Sequence, residues 1–312
     1  MKNTLSSINK YALSSTKEFI EFSEQCYYKE IEALADIISK NDDIKIVSIA
    51  GPSGSGKTTT AHILYDLLIE RNETPTVVSL DDFYLPGDML PILPNGKKDI
   101  ESVNSLDVSL IGKCFNEIIT TGESVLPIYD FKTRSRNLLG KKVDIKNHGI
   151  IICEGLHALN PLITDLIPRK NIYKIYISVN TPILDDSGET LLSSRQIRLI
   201  RRTLRDRVFR GSSVNTTLSL WDGVIEGERK YLYCFKETAD AQLKTLHLYE
   251  PLVYKEDFLA LANEVSPDSP CYDYFMKTVN ALKYFNSISS DFVPDKSLIR
   301  EFIGNGKYNA VT

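Results

Sequence analysis

The chain lacks several features that would assign it to a particular class of protein. No apolar run approaches the roughly 18 residues needed for a membrane-spanning helix, and no apolar signal segment begins the sequence. The five cysteines are scattered without C-x-x-C spacing, and the four histidines form no cluster of ligands. We therefore expect no membrane span, no disulfide framework and no histidine or cysteine metal centre, in a cytoplasmic protein with reduced thiols.

A strong excess of charge of either sign is also absent. The 37 Lys and Arg residues face 41 Asp and Glu residues, for a net charge of -4. This mild acidity argues against a protein whose main role is to coat nucleic acid. With 42% hydrophobic and 25% charged residues, the composition is that of an ordinary globular protein with a sizeable core. The basic residues between Arg195 and Arg210 still require a local explanation.

The strongest motif is a phosphate-binding loop at Gly51–Thr58, which follows the apolar run at 44–50 and matches G-x-x-x-x-G-K-[ST] at every fixed position. Its backbone N–H groups would turn around a triphosphate, above the N-terminus of a helix at 58–71. We expect Lys57 to reach the β and γ oxygens and Thr58 to ligate Mg²⁺. A glycine-rich turn that binds nothing has no need of this Lys-Thr pair. The expected phosphate-binding residues are Gly51, Ser53, Gly54, Ser55, Gly56, Lys57, Thr58 and Thr59.

Strands and helices alternate along the chain. Apolar and β-branched runs predict strands at 44–50, 76–80, 150–153, 172–179 and, as the last one, 249–253. Helical spacing predicts one or two helices at 16–40 and others at 58–71, 106–121, 193–208, 257–264 and 272–284. This alternation predicts an α/β fold with a parallel sheet flanked by helices. We expect a helical extension at 1–43, a main domain at 44–255 and a C-terminal helical extension packed on it at 256–312.

Acidic residues stand where two of the expected strands end. Asp81 follows the strand at 76–80, and a carboxylate there could accept a proton from a hydroxyl or align it. Its neighbour Asp82 is the alternative, and either acid could instead cap a helix or turn. Glu154 ends the buried strand at 150–153, a place typical of a carboxylate that serves Mg²⁺, and burying such an acid is otherwise costly.

Arginines crowd one predicted helix. Five of the ten residues from Arg201 to Arg210 are arginine, and the only acid among them is Asp206. Such self-repulsion is unfavourable unless an anion binds, and guanidinium groups suit phosphate geometry. Helical spacing also puts Arg198, Arg202 and Arg205 on one face. The pattern favours a phosphate-binding lid over a solvated charged face, with a glycine at 211 as a hinge.

Residues 126–136 form an aromatic and charged segment, LPIYDFKTRSR. The segment has no obvious place in a hydrophobic core. We interpret it as a loop that binds the acceptor substrate.

Taken in order, these motifs resemble the uridine kinase group of the phosphoribulokinase/uridine kinase family. The resemblance extends from about 44 to 255 and rests on segments at 51–58, 81–86, 127–133, 154–157 and 201–211. Segments at 229–231 and 249–252 are also similar to a bacterial branch of uridine kinase-like proteins. The resemblance implies a P-loop NTPase-type sheet with a helical, arginine-rich lid, and a kinase domain at 44–255.

Residue roles follow from the resemblance. It implies that Asp81 is the catalytic base for a ribose 5'-hydroxyl, with Lys57 at the phosphates. It also implies that Tyr84 and Tyr129 contact the nucleoside, and that Arg205 and Arg210 are lid residues that contact the phosphates. Arg202 would contact the acceptor, and Thr58 and Glu154 would bind Mg²⁺. The chain departs from the family twice. Arg134 stands where the family has a pyrimidine-reading histidine, and Glu101 stands where an aspartate holds the ribose diol, whereas Arg136 matches a family arginine beside the base.

The resemblance implies a transferase that uses ATP and Mg²⁺ to phosphorylate a nucleoside, with uridine or cytidine preferred, in pyrimidine salvage. The expected partner is this small-molecule nucleoside rather than nucleic acid or membrane, and family members often form dimers or tetramers. Two alternatives stay open: a sibling kinase for another alcohol, such as another nucleoside, pantothenate or a sugar phosphate, and a non-catalytic nucleotide sensor. A switch GTPase is weaker, because residues 185–188 fit D-x-x-G but no N-K-x-D element accompanies them.

Overall fold

A computed structural model describes residues 2–93, 96, 98–130, 133, 135–145 and 149–308 of the chain. Its strands are β1 (Ile46–Ala50), β2 (Thr74–Ser79), β3 (Glu123–Asp130), β4 (Ser135–Asp144), β5 (Gly149–Gly155), β6 (Ile172–Ser178), β7 (Ile183–Leu184), β8 (Thr190–Leu192) and β9 (Ala241–Lys244). Its α-helices are α1 (Leu5–Ser14), α2 (Thr16–Ser39), α3 (Lys57–Ile69), α4 (Val108–Thr121), α5 (Pro161–Thr164), α6 (Ser194–Arg210), α7 (Val214–Tyr231), α8 (Glu250–Ala260), α9 (Tyr272–Leu282) and α10 (Arg300–Ile303).

A five-stranded parallel sheet in the order β2-β5-β1-β6-β9 forms the centre of the molecule. β1 and β5 are buried along their whole length, as central parallel strands covered on both faces must be. The sheet and its flanking helices confirm the predicted α/β fold. The register pairs Ala50 with Gly155 and Ser79 with Glu154, so β1, β2 and β5 end at one edge. Open α/β sheets bind their ligands at this edge.

The predicted last strand at 249–253 is wrong. These residues begin helix α8, and the last strand of the sheet is β9. A short apolar run does not by itself distinguish a strand from a buried helix. Pro251 lies in the first turn of α8, where the missing N–H of proline costs no hydrogen bond, and Glu250 supplies an acid at the same end. The apolar pattern of β9 in the sequence is weak, because Leu243 is the one buried residue of this strand.

The predicted loop at 126–136 is wrong for residues 126–130 and 135–136, which lie in strands. β3 and β4 pair as an antiparallel hairpin, in which Tyr129 faces Arg136 and Asp130 faces Ser135. The alternation of buried and exposed residues along β3 is the period-2 pattern of a half-buried strand. Pro127 obscured that pattern, because proline is tolerated in strands mainly at edges and irregularities, and the register shifts between Leu126 and Ile128.

Both terminal segments share the main hydrophobic core. Phe19 and Ile31 of α2 and Leu298 and Phe302 near the C-terminus belong to the same buried cluster as Leu64 of α3. Residues 16–40, expected as one or two helices, form the single helix α2, which packs on α3. Among the described residues, no helix combines the length and apolarity that crossing a bilayer would require.

Candidate active site

The phosphate loop connects β1 to α3 at the carboxyl edge of the sheet. Gly54 and Gly56 have φ values of 72° and 89°, in the left-handed region that favours glycine. A Cβ on Gly51 would lie 2.6 Å from the carbonyl oxygen of Ile177, so only glycine fits there. All eight predicted phosphate-binding residues lie in this turn and the first turn of α3: Gly51, Ser53, Gly54, Ser55, Gly56, Lys57, Thr58 and Thr59. The loop therefore has the backbone shape that cradling phosphates requires.

The two predicted carboxylates at strand ends lie on neighbouring strands, with Ser79 between them. The hydroxyl of Ser79 donates to Oε1 of Glu154 at 3.0 Å and accepts from the backbone N–H of Asp81 at 3.3 Å. Asp81 keeps access to solvent in the cleft, but the protein atoms packed around its carboxyl desolvate it and raise its pKa, whereas Lys57, Arg210 and Arg205 act in the opposite direction. Three positive side chains therefore surround Asp81.

Glu154 lies deeper at the same edge. It is 8% exposed, and burial raises the pKa of its carboxyl to about 7, with Lys57 opposing the shift and Asp81 reinforcing it. A carboxylate in such a place is stabilised by a cation. Side-chain oxygens such as those of Glu154 and Thr58 are the kind that Mg²⁺ prefers, and Mg²⁺ typically takes one or two protein ligands together with substrate phosphates and water.

Asp82, the alternative to Asp81, has a different position. Its Oδ1 accepts a hydrogen bond from the backbone N–H of Tyr129 at 3.2 Å. Asp82 thus ties the turn after β2 to the hairpin, whereas Asp81 faces Lys57 and the arginines of α6. The structure distinguishes two adjacent acids that the sequence left as alternatives.

The predicted acceptor residues line the space beyond Asp81. The rings of Tyr84 and Tyr129 lie 5.6 Å apart, and the hydroxyl of Tyr84 donates to the carbonyl oxygen of Ile100 at 3.0 Å. Burial raises the pKa of Glu101 to about 7, while Arg202 opposes the shift. These side chains influence one another and Asp81 electrostatically, so they belong to one cleft.

The two predicted base-site arginines have different outcomes. Arg136 forms an ion pair with Asp107 at 3.0 Å, and its Nη1 is buried without a hydrogen-bond partner among the described residues. Arg134 lies outside the described residues. One donor of Arg136 is therefore unsatisfied among the described residues.

Along the sequence of the predicted helix, Asp206 is the one acid among the crowded arginines, but packing brings further acids to them. Six arginines of α6 form ion pairs, and most of the acids come from distant parts of the chain: Arg198 with Glu228, Arg201 with Glu250, Arg207 with Glu264, and Arg202, Arg205 and Arg210 with Asp206. The last group still has three cations for one carboxylate. Burial would raise the pKa of Asp206, but Arg205, Arg202 and Arg210 hold it below its usual value. A positive excess therefore remains where α6 faces Asp81.

Known proteins are similar to this chain in sequence over the part that contains the phosphate loop. Residues 46–183 match the model of the Phosphoribulokinase / Uridine kinase family. Two similar curated proteins are the uridine kinase of Clostridium novyi (strain NT), 28% identical over 181 residues, and that of Lactobacillus johnsonii, 29% identical over 174 residues. These alignments cover 58% and 56% of this chain, and 77% and 73% of the two relatives.

These residues of the chain are similar to the phosphoribulokinase / uridine kinase family. The similarity supports a phosphotransferase that uses ATP and, as is usual for such kinases, Mg²⁺. A solved structure described as a possible uridine kinase from Bacillus stearothermophilus is also similar, with 17% identity and a TM-score of 0.47 over 69% of this chain and 97% of that one. The fold described above rests on the strand order and the phosphate loop of this protein.

Two buried ion pairs behind the phosphate loop were missed in the sequence. Oε1 of Glu228 accepts the backbone N–H of Ser53 at 2.8 Å and also pairs with Arg198, whose Nε donates to the carbonyl oxygen of Ser53 at 2.9 Å. Arg201 donates to the carbonyl oxygen of Gly54 at 3.1 Å and pairs with Glu250 at 2.6 Å. Glu228 adjoins the family-like segment at 229–231 and Glu250 lies within the one at 249–252, which was the available signal. The protein thus holds its phosphate loop from behind with side chains of α6, α7 and α8.

Proposed function

We propose that this kinase transfers the γ-phosphoryl group of ATP to the 5'-hydroxyl of a nucleoside, with uridine or cytidine preferred, giving UMP or CMP for pyrimidine salvage. One observation carries the proposal. An acid that can accept a hydroxyl proton, Asp81, lies open to the cleft among Lys57, Arg205 and Arg210, next to a complete phosphate loop. Phosphoryl transfer depends mainly on this kind of positioning and charge stabilisation.

The donor half of the proposal uses the phosphate loop and α6. The loop amides and Lys57 would hold the phosphates of ATP, and Arg205 and Arg210 would close on them as the lid. Thr58 and Glu154 would hold Mg²⁺, which supplies charge neutralisation between the phosphates when bound. Arg202 is already close to the loop, since its Nη1 donates to the hydroxyl of Ser53 at 2.7 Å.

The acceptor half uses the cleft beyond Asp81. Asp81 would align the 5'-hydroxyl and take its proton. Glu101 would bind the ribose diol, and Tyr84 and Tyr129 would contact the nucleoside. The buried, unpartnered Nη1 of Arg136 supports a hydrogen bond to the base in that direction.

The test is ATP consumption by the purified protein with Mg²⁺ and, separately, uridine, cytidine, adenosine, thymidine and pantothenate, with products identified by mass. UMP or CMP is the expected product, and Asp81→Asn should not form it. Turnover of pantothenate without turnover of any nucleoside would overturn the acceptor assignment and leave the donor half intact. ATP binding without turnover of any acceptor would favour a nucleotide sensor.

A sibling kinase for a different small alcohol is the second candidate. It is favoured by the ion pair between Arg136 and Asp107. This ion pair uses part of the guanidinium of Arg136, which is the one arginine expected at the base that the structure describes. The same acceptor panel separates the two candidates. Arg136→Lys provides a matched check, because it keeps the charge and loses the planar, forked donor geometry. A nucleoside kinase should lose base preference in this variant, whereas a kinase for pantothenate should not.

A further inference from the structure

The C-terminal segment Ser297–Gly304 lies directly against the phosphate loop. A Cβ on Gly56 would lie 2.3 Å from Cδ1 of Leu298, so Leu298 occupies the space that the absent side chain leaves. Leu298 and Phe302 are fully buried, and the Phe302 ring lies 5.0 Å from the guanidinium of Arg201. The segment is therefore packed in the core, directly beside the phosphate loop.

Glu301 is the charged residue that this segment brings to the loop. Its Oε2 accepts the backbone N–H of Thr59 at 3.2 Å and the hydroxyl of Thr59 at 2.8 Å. Thr59 lies in the first turn of α3, where helix N–H groups have no partner within the helix. These N–H groups and those of the loop are the ones that cradle the α- and β-phosphates of a nucleotide. The carboxylate of Glu301 therefore stands where a phosphate oxygen would bind.

A carboxylate and a phosphate repel each other, and they cannot both take the short hydrogen bonds of Thr59. Because Leu298 and Phe302 anchor the segment in the core, the whole segment is not free to leave. The Glu301 side chain itself is only partly buried, so a rotation about its own bonds can release Thr59. Without a bound donor, Glu301 holds Thr59 for part of the time. The apparent affinity for the donor is then lowered in proportion to the fraction of molecules in which Thr59 is free.

We propose that Glu301 is a donor-site residue that competes with the α-phosphate of the nucleotide for Thr59 and so sets the affinity for the donor. The proposal rests on the proposed function in one respect, because it takes a nucleotide such as ATP to be the donor. It does not depend on which alcohol is the acceptor.

The first test is the Kd of ATP and of ADP for the full chain and for Glu301→Gln, measured by calorimetry without an acceptor. Glutamine keeps the size of the side chain and removes its charge. The expected result is about tenfold tighter binding of both nucleotides, which is in the usual range of coupling between two sites. Glu256→Gln is the matched control, because it removes the same charge from an exposed position on α8 and should leave the Kd unchanged.

Pyrophosphate is the second probe, since it can bind in the loop without placing a phosphate group at Thr59. Glu301→Gln should tighten its binding much less than that of ATP. An equal gain for pyrophosphate and ATP would overturn the proposal, because long-range charge would then explain it. Unchanged or weaker ATP binding in Glu301→Gln would also overturn it, and weaker binding would mean that the carboxylate assists the donor.

A second variant keeps the proposal testable if Glu301→Gln does not fold. Glu301→Asp retains the charge, but its side chain is one methylene shorter and should lose the contact with Thr59. This variant should therefore bind ATP more tightly than the protein with Glu301. Unchanged ATP binding in this variant would overturn the proposal.

The results separate this proposal from the proposed function. Nucleoside phosphorylation with no change of Kd in Glu301→Gln would overturn the competition alone. Tighter ATP binding in that variant, with no nucleoside turned over, would overturn the acceptor assignment alone. Absence of ATP binding in both forms would overturn the donor assignment and the competition together.

Discussion

The front and the back of the phosphate loop use arginines of the same helix, α6, in opposite ways. Behind the loop, Arg198 and Arg201 are 3% and 0% exposed, and each pairs with a buried glutamate. In front of it, Arg205 and Arg210 share the carboxylate of Asp206 and extend their charge toward Asp81. The back is neutral and closed, whereas the front is positive and open to a ligand.

The difference separates two roles that arginine has in one helix. Buried pairs that also bond the backbone of the loop hold its shape, because removing either partner leaves an uncompensated charge. Arginines that share too few acids keep part of their charge for an incoming anion. A substitution behind the loop should therefore act first on stability, and one in front should act first on turnover.

The largest expected effect lies in front of the loop. Asp81→Asn should lower kcat for the nucleoside by about 10²- to 10⁴-fold, because the amide cannot take the hydroxyl proton. ATP binding should change little, since Asp81 is proposed to act on the acceptor. Steady-state kinetics and ATP calorimetry check this, with Asp82→Asn as the control. Loss of turnover in Asp82→Asn with near-normal turnover in Asp81→Asn would transfer the role to Asp82.

Behind the loop, Arg201→Met should lower the free energy of unfolding by about 3–5 kcal/mol, because Glu250 would be left buried without its partner. Urea denaturation of the two proteins measures the difference. Arg207→Met is the matched control on the same helix, since its pair with Glu264 is exposed and should contribute little. Equal losses in the two variants would remove the distinction between a buried back and an open front.

Arg205→Ala should lower kcat by about a hundredfold and raise KM for ATP less, because a lid arginine interacts most strongly with charge that develops during transfer. Initial rates over a range of ATP concentrations separate the two constants. The unfolding free energy should stay close to that of the unchanged protein. An unaltered kcat would make this part of α6 a structural surface.

The smallest expected effect is a pH dependence of stability due to Glu101. Burial raises the pKa of Glu101 to about 7, above its ordinary value, so the folded protein binds the proton more tightly than the unfolded chain. Stability should then fall as the pH rises from about 4.5 to 7, by on the order of 2 kcal/mol. Denaturation midpoints between pH 4.5 and 8 measure this. Glu101→Gln should make the fall smaller without abolishing it, because Glu154 has a similarly raised pKa, while Glu256→Gln should leave it as it is.

Much of the front of the site could be predicted because its signals are local. The glycines of the loop, Lys57 and the acids at strand ends are encoded within a few residues of their strands, and parallel strands bring their ends together. The back could not be predicted, since Arg201 and Glu250 are separated by 49 positions and Thr59 and Glu301 by 242. Charge counted along α6 alone suggested an unbalanced helix, and only packing supplied its partners.

By itself, the sequence determined the alternating strands and helices, the phosphate loop and the family that residues 46–183 resemble. These depend on short-range backbone preferences and on apolar periodicity. Only the tertiary structure decided that 126–130 and 135–136 lie in paired strands, that Asp82 rather than Asp81 bonds to Tyr129 there, and that Glu301 reaches the phosphate loop. Contacts of this second kind depend on which surfaces meet when the core closes, and no local pattern of residues records that.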